Sequence, residues 1–296
     1  MACLLQPHRH CDVGDGHVVC HNAISGFGDA IKFTSTGFTS EDVYNNEVTS
    51  SYDNSIELDG ALRNVRCTRN RFTNSYAPIS FQPIYGGPVY VWRTVVVNVA
   101  NEALKIHALG EPPDNQDPSG MLIYHNTFVS SDHALFVNTS ATGHYFELRN
   151  NLFVGPAAPS GRIVEWDGVI DHGTLDFDGF YTPNAGFRIS GQSWANLAAL
   201  KTSGPYEFHS TALTATTFAS GLTAPPTYTT ALSPKDVSLS TSSPAVNAGT
   251  WIYQFSDGAN GVTSDLGAIG LGCPVPLYGP RPAGTNESSE VYGCTP

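Results

Sequence analysis

Six segments of this chain repeat one short pattern, and the repeat limits the possible folds more than any other feature. They read "VVCHNAI", "DVYNNEV", "VRCTRNRF", "VYVWRTVV", "LIYHNTF" and "ELRNNLF". Superposed, they give one polar column, Asn22, Asn46, Asn70, Thr94, Asn126 and Asn151, at intervals of 24, 24, 24, 32 and 25 residues. Three positions earlier stand Val19, Val43, Cys67, Val91, Ile123 and Leu148, and two positions later Ile24, Val48, Phe72, Val96, Phe128 and Phe153, all apolar. A second alternating segment follows each copy: Ile31-Lys32-Phe33, Ile56-Glu57-Leu58, Ile79-Ser80-Phe81, Leu104-Lys105-Ile106 and Leu135-Phe136-Val137, with Ile163-Val164 continuing less regularly.

A unit this short cannot bury an apolar face alone, so neighbouring units must stack. Two or three short strands per unit with no helix between them predict an all-β solenoid, with the Asn column as an inward ladder at a tight bend. Leucine-rich repeats also carry periodic Asn, but their Leu framework and length do not match.

At this point the chain resembles the right-handed parallel β-helix proteins of the pectate-lyase-like superfamily. The Asn-centred copies carry the resemblance over residues 17–168, and "SPAVNAGT" and "SDLGAIG" look like closing segments of such proteins. The resemblance implies about six to eight coils and activity on polysaccharide. The expected divisions are an N-terminal cap segment over 1–16, coils over 17–168, final coils with a short helix and loops over 169–270, and a tail over 271–296. "SWANLAALKTSG" predicts the helix, with Ser193 as N-cap and Gly204 near its end. Because the first recognisable coil starts near His17, its open end needs a cover: residues 1–16, a further segment, or another subunit that would make an oligomer.

Charged residues make up 14% of the chain, and Gly, Pro, Asn, Ser and Thr abound, which suits strands and turns. The net charge of -12 argues against general nucleic-acid binding, and no apolar run is long enough for a membrane helix. "MACLLQPHRH" is too short and too polar for a secretory signal, as expected of a mature form or of a frame beginning inside a longer protein. The six cysteines show no C-x-x-C spacing. Pairs Cys11–Cys20 and Cys273–Cys294 pinning the two ends would suit a secreted or cell-surface protein, with unpaired thiols as the alternative. The Arg and Lys at 63, 66, 69, 71, 93 and 105 cluster, either as an anion-binding region or as partners of Glu47, Glu57, Asp59 and Glu102.

Stacking turns the second segments into an outward grid: Glu57 and Asp59, then Ser80 and Gln82, then Lys105 and His107, then Phe136 and Asn138. The long interval places "ALGEPPDNQDPSG" directly after His107, where a lid or cleft wall would stand. "QPIYGGP" leaves the preceding coil, with paired Gly for close approach to a ligand and Tyr85 to stack on a sugar. A second candidate surface flanks the Asn column. There Trp92 and Tyr124 would form a sugar platform, Arg69 and Arg93 would hold carboxylate or sulfate groups, and His125 would be a further contact in the same column; the alternative is stacked aromatics covering the coils with Arg stems packed beside them.

Two cleavage chemistries fit such a grid. β-Elimination on an acidic sugar needs a base, His107 or Lys105, and a cation, the other of the two or Arg93, to neutralise the uronate carboxylate; Tyr85 or Tyr124 would protonate the leaving oxygen. Inverting hydrolysis would use Glu57 and Asp59, about 7 Å apart on one strand, with Glu102 or Glu111 as alternatives. The basic cluster favours elimination. A non-catalytic carbohydrate-binding or adhesive solenoid, or a structural fragment of a larger enzyme, would show the same repeat. No cofactor is required, although Ca2+ could join Asp114 and Asp117, Asp176 and Asp178, or Asp257 and Asp265. His8-x-His10 is a weak metal spacing.

Overall fold

The computed structural model describes residues 15–33, 37–109, 116–137, 141–156, 161–256 and 263–285. Cys3, Cys11, Cys294, His8, His10, Glu111, Asp114, Asn138 and Asp257 lie outside them. The chain winds into a parallel β-solenoid of about six turns. Its coils contribute to three sheets of seven, eight and eight strands. The first sheet runs from Val18–Cys20 to Val169–Leu175, the second from Ala23–Ser25 to Thr211–Ala212, and the third from Ile31–Lys32 to Gly186–Ile189. All pairings between successive coils are parallel; the antiparallel strand Gln192–Trp194 closes the third sheet. Among the described residues no helix is long and apolar enough to cross a membrane.

The Asn column does what its spacing predicts. From Asn46 onward each Asn Oδ1 accepts from the backbone N of the ladder residue one coil earlier, as Asn70 does from Asn46 and Asn151 from Asn126, both 3.0 Å, and as Asn126 does from Thr94. Nδ2 of Asn46, Asn126 and Asn151 donates to the next Oδ1 and to a carbonyl of the preceding coil, as Asn151 does to Asp178 Oδ1 and Ile123 O, whereas Asn70, facing Thr94, donates to Val43 O and Cys67 Sγ. The residue before each ladder position is left-handed: His21, Asn45, Arg69, Arg93, His125, Asn150 and Phe177 have φ between 50 and 62°. This conformation costs a non-Gly residue about 1–2 kcal/mol, and it is held because the ladder amide satisfies the groups exposed by the turn. The column extends past the visible repeat through Asp178 to Ser210, whose Oγ accepts from Asp178 N at 3.0 Å.

Inside the bend, Val48, Phe72, Val96, Phe128, Phe153 and Phe180 stack as one buried stripe of a continuous core. The second sheet also buries part of its outer face. Val95, Val97, Val129, Leu152 and Val154 pack against Leu213, Phe218, Val237, Leu239 and Leu266, so the segment after the coils is a covering layer with its own apolar core. The chain then runs back along the bend. Arg93 donates to Ala268 O, Asn45 to Leu277 O, and the His21 ring bonds Gly279 O.

Three expectations need correction. The helix α1 is Leu197–Ser203, capped by Asn196 rather than Ser193, because Ser193 belongs to the closing strand. Cys20 is a free thiol, as is buried Cys67, so Cys11 does not bridge to it. Cys273 is disulfide-bonded. The paired Gly do not wait for a ligand: a Cβ at Gly87 would meet Leu62 O at 2.4 Å, and one at Gly86 would meet Ser119 Oγ at 2.6 Å, so they admit neighbouring coils.

Asn126→Ala would orphan Thr94 N and Val91 O. At about 1–3 kcal/mol for each of these two buried orphans, denaturant unfolding should show a loss of about 2–6 kcal/mol. Asp178 is the ladder's one carboxyl, and burial pushes its pKa from 3.8 up to about 8. Between those values the folded state holds a proton that the unfolded chain has released, so stability should fall as pH rises from about 4 to 8. Thermal midpoints of Asp178→Asn should fall less steeply over that range, buried Glu207, also raised, retaining its own share.

Candidate functional site

The third sheet presents one column of the predicted grid, Glu57, Ser80, Lys105 and Phe136, in the predicted register. Lys32 pairs with Glu57, Glu57 with Ser80, Ser80 with Lys105, and Lys105 with Phe136. Strand alternation buries Ile56, Leu58, Ile79, Phe81, Leu104 and Ile106 in the core and turns the residues between them outward. Glu165 and Arg188 prolong the outward row beyond Phe136.

At one end of the row Lys32 Nζ lies 2.5 Å from Glu57 Oε2. Asp59 accepts from Ser80 Oγ at 2.8 Å and from Gln82 N at 2.6 Å. The Glu57 and Asp59 carboxyls are within hydrogen-bonding reach of each other, so they are closer than the two carboxyls of a glycosidase pair. Burial raises Glu57 to about 7 against the opposing pull of Lys32, with the Asp59 charge adding to the rise, and burial likewise raises Asp59. Glu57 therefore releases its proton only near neutral pH.

In the next rows Lys105 makes no ion pair with any described carboxylate. Burial, with the Lys105 charge assisting, lowers His107 to about 4, so its imidazole is neutral. Its Nε2 is buried and has no hydrogen-bond partner, and the ring meets Phe136 edge-on at 5.7 Å. Glu102 is buried nearby, and burial pushes it up to about 7 against Lys105 and His133.

Leu109 and Gln116 pair as an antiparallel bridge at the base of the segment after His107. Tyr85, exposed, donates its hydroxyl to Gln116 Oε1. Gln82, half-buried, follows the same strand as Ser80.

The second candidate surface is occupied by the protein itself. Phe255 stacks on Tyr90 at 5.9 Å and meets Trp92 at 5.4 Å and Tyr124 at 5.0 Å. Tyr124 donates to Glu147 Oε2, Arg93 reaches the carbonyls of Ala268 and Phe255, and His125 bonds Ser256 Oγ. These four side chains hold the covering segment and present no open platform. Much of the basic cluster is likewise paired: Arg66 with Asp42 and Arg71 with Glu47, each at 2.5 Å. Three members of the grid escaped the sequence reading. Lys32 stood in a recognised strand but was left out of the rows, and His133 and Glu165, joined at 2.9 Å, flank the recognised "LFV" and "IV".

Among the described residues no three carboxylate, imidazole or thiol groups are placed to hold a metal. The described members of the calcium candidates serve the backbone: Asp117 accepts from Thr142 N, Asp176 from His209 N, and Asp265 from Asn247 N and Leu271 N.

Replacing Asp59 by Asn removes a charge that raises Glu57. Carboxyl titration followed by NMR should show the Glu57 midpoint move below about 7 in Asp59→Asn.

No family model, curated protein or solved structure matches this chain.

Proposed function

We propose that the outer face of the third sheet binds an acidic polysaccharide or oligosaccharide and cleaves it by β-elimination. The observation that carries this reading is Lys105, an ammonium unpaired among the described residues, beside the neutral, unpartnered imidazole of His107. Lys105 would neutralise the uronate carboxylate as negative charge develops on it. His107 Nε2 would take the proton from the carbon next to that carboxylate. The electrons of that C–H bond form the new double bond, the glycosidic C–O bond breaks, and the leaving oxygen takes the proton of Glu57, which its environment raises to about 7. Tyr85 is the other exposed donor nearby, whereas Tyr124 lies under Phe255. The resemblance to the pectate-lyase-like superfamily supports a polysaccharide substrate, and the disulfide at Cys273 supports a secreted or cell-surface location.

Inverting hydrolysis by Glu57 and Asp59 is disfavoured, since carboxyls in mutual contact leave no room for a sugar bond and a water. A non-catalytic carbohydrate-binding solenoid is the second reading. It is favoured by the burial of His107 Nε2, which a substrate would have to uncover.

Incubation with soluble uronate polysaccharides, followed by ultraviolet absorbance of unsaturated chain ends, should show product with the native protein. Lys105→Met and His107→Ala should each lower that rate at least 100-fold, the range of general-base and charge-stabilising groups, with little change in thermal midpoint. The rate should rise with pH as His107 loses its proton near 4 and fall as Glu57 loses its own near 7. Binding without unsaturated ends would select the non-catalytic reading, and full activity in both variants would remove this grid from the chemistry.

A further inference from the structure

Phe136 is out of place on a polar row. Leu135 and Val137 on either side of it are buried, so its side chain stands on the outer face, half-exposed and in register between Lys105 and Glu165. It joins neither hydrophobic cluster of the protein. The second sheet covers its outward Val and Leu with the C-terminal layer, but Phe136 receives no such cover from the apolar clusters.

Its surroundings are polar and held in place. The His107 ring meets it at 5.7 Å and 76°, and the His133 ring at 5.6 Å and 51°. His133 is fixed by Asp132 at 2.8 Å and Glu165 at 2.9 Å, and Glu165 in turn by Arg162 at 2.8 Å. Lys105 stands one rung away, about 4.8 Å along the solenoid axis. An aromatic ring with a polar rim of imidazoles and an ammonium suits a ligand that is apolar on one face and polar around its edge. A pyranose ring has that shape: its axial C–H groups make an apolar face and its hydroxyls a polar edge.

We propose that Phe136 is a sugar-stacking residue, holding one pyranose ring against its face with the ring hydroxyls toward His107 and His133, so that the uronate carboxylate of the chain falls at Lys105. The placement of the carboxylate rests on the function proposed above; the stacking itself does not. Phe136 is a binding and positioning residue and takes no part in bond making.

The test measures affinity for polygalacturonate, alginate and the neutral polymer xylan, together with KM and kcat on any polymer that is cleaved, for the native protein, Phe136→Ala and Phe136→Trp. Thermal midpoints verify folding, which a half-exposed side chain outside both cores should not control. The expected result is a roughly tenfold weaker Kd and higher KM in Phe136→Ala, the scale of one aromatic contact, with kcat within about twofold and with recovery in Phe136→Trp. A merely structural role would not be rescued by the larger ring. Native binding of a uronate polymer that Phe136→Ala leaves unchanged overturns the stacking while the acidic-substrate reading stands. Xylan binding that depends on Phe136, with no uronate polymer bound, upholds the stacking and overturns the acidic substrate. Binding of none of the three polymers overturns both.

Discussion

The side-chain amide bonds between successive Asn residues are the interaction on which the rest of the structure depends. A left-handed corner residue turns the chain sharply and leaves main-chain groups facing inward with no strand partner. The following Asn supplies both a donor and an acceptor on a short side chain, and its neighbour one coil away supplies the complement. Satisfying the corner therefore also fixes the register, since a slip would orphan both ends of each amide. Thr94 is the one weak rung among the first six: Asn126 still bonds its backbone N, but its Oγ1 is buried without a partner, and Asn70 turns its Nδ2 to Val43 O and to Cys67 Sγ. The same coil carries the extra residues after His107. Where the ladder is least regular, the coil is longest and the outward face most varied.

Register in turn decides the electrostatics of the third sheet. One row brings two carboxyls together, and two rungs further on an ammonium and an imidazole stand side by side. Burial, with the Asp59 charge adding, outweighs Lys32 and raises Glu57 to about 7, and burial raises Asp59. His107 stays neutral through burial and Lys105. His133 goes the other way: burial works against its charge, but the bonds to Asp132 and Glu165 prevail. A proton donor, a proton acceptor and a cation thus share one face at neutral pH.

The repeat was legible in the sequence because it is written in residue type at a constant interval: Asn at the corner and apolar residues at fixed offsets. The grid followed from it, since a constant interval makes Glu57, Ser80 and Lys105 vertical neighbours by counting alone. Lys32 obeys the same count at an interval of 25 and was equally legible. What could not be read is coverage. Trp92, Tyr124, Arg93 and His125 looked like Glu57 or Lys105 in pattern, each outward on a stacked column, and differ only because Phe255, Ser256 and Ala268 lie on them. Those contacts join residues more than 100 positions apart with no periodicity to announce them. The same holds for Gly86 and Gly87, whose missing Cβ serves an adjacent coil.

The returning C-terminal segment alters the mechanics of the stack. Coils that touch only their neighbours fray from either end, one rung at a time. Here the first coil is fastened by His21 to Gly279 and the middle coils by Arg93 to Ala268, so an outer brace runs the length of the spiral against the direction of winding. Peeling off the first coil therefore breaks contacts to a segment that also holds the middle coils, beyond those to its own neighbour. The brace covers the outer face of the second sheet and part of the first, and its apolar core does not extend over the sheet bearing Lys105 and Phe136.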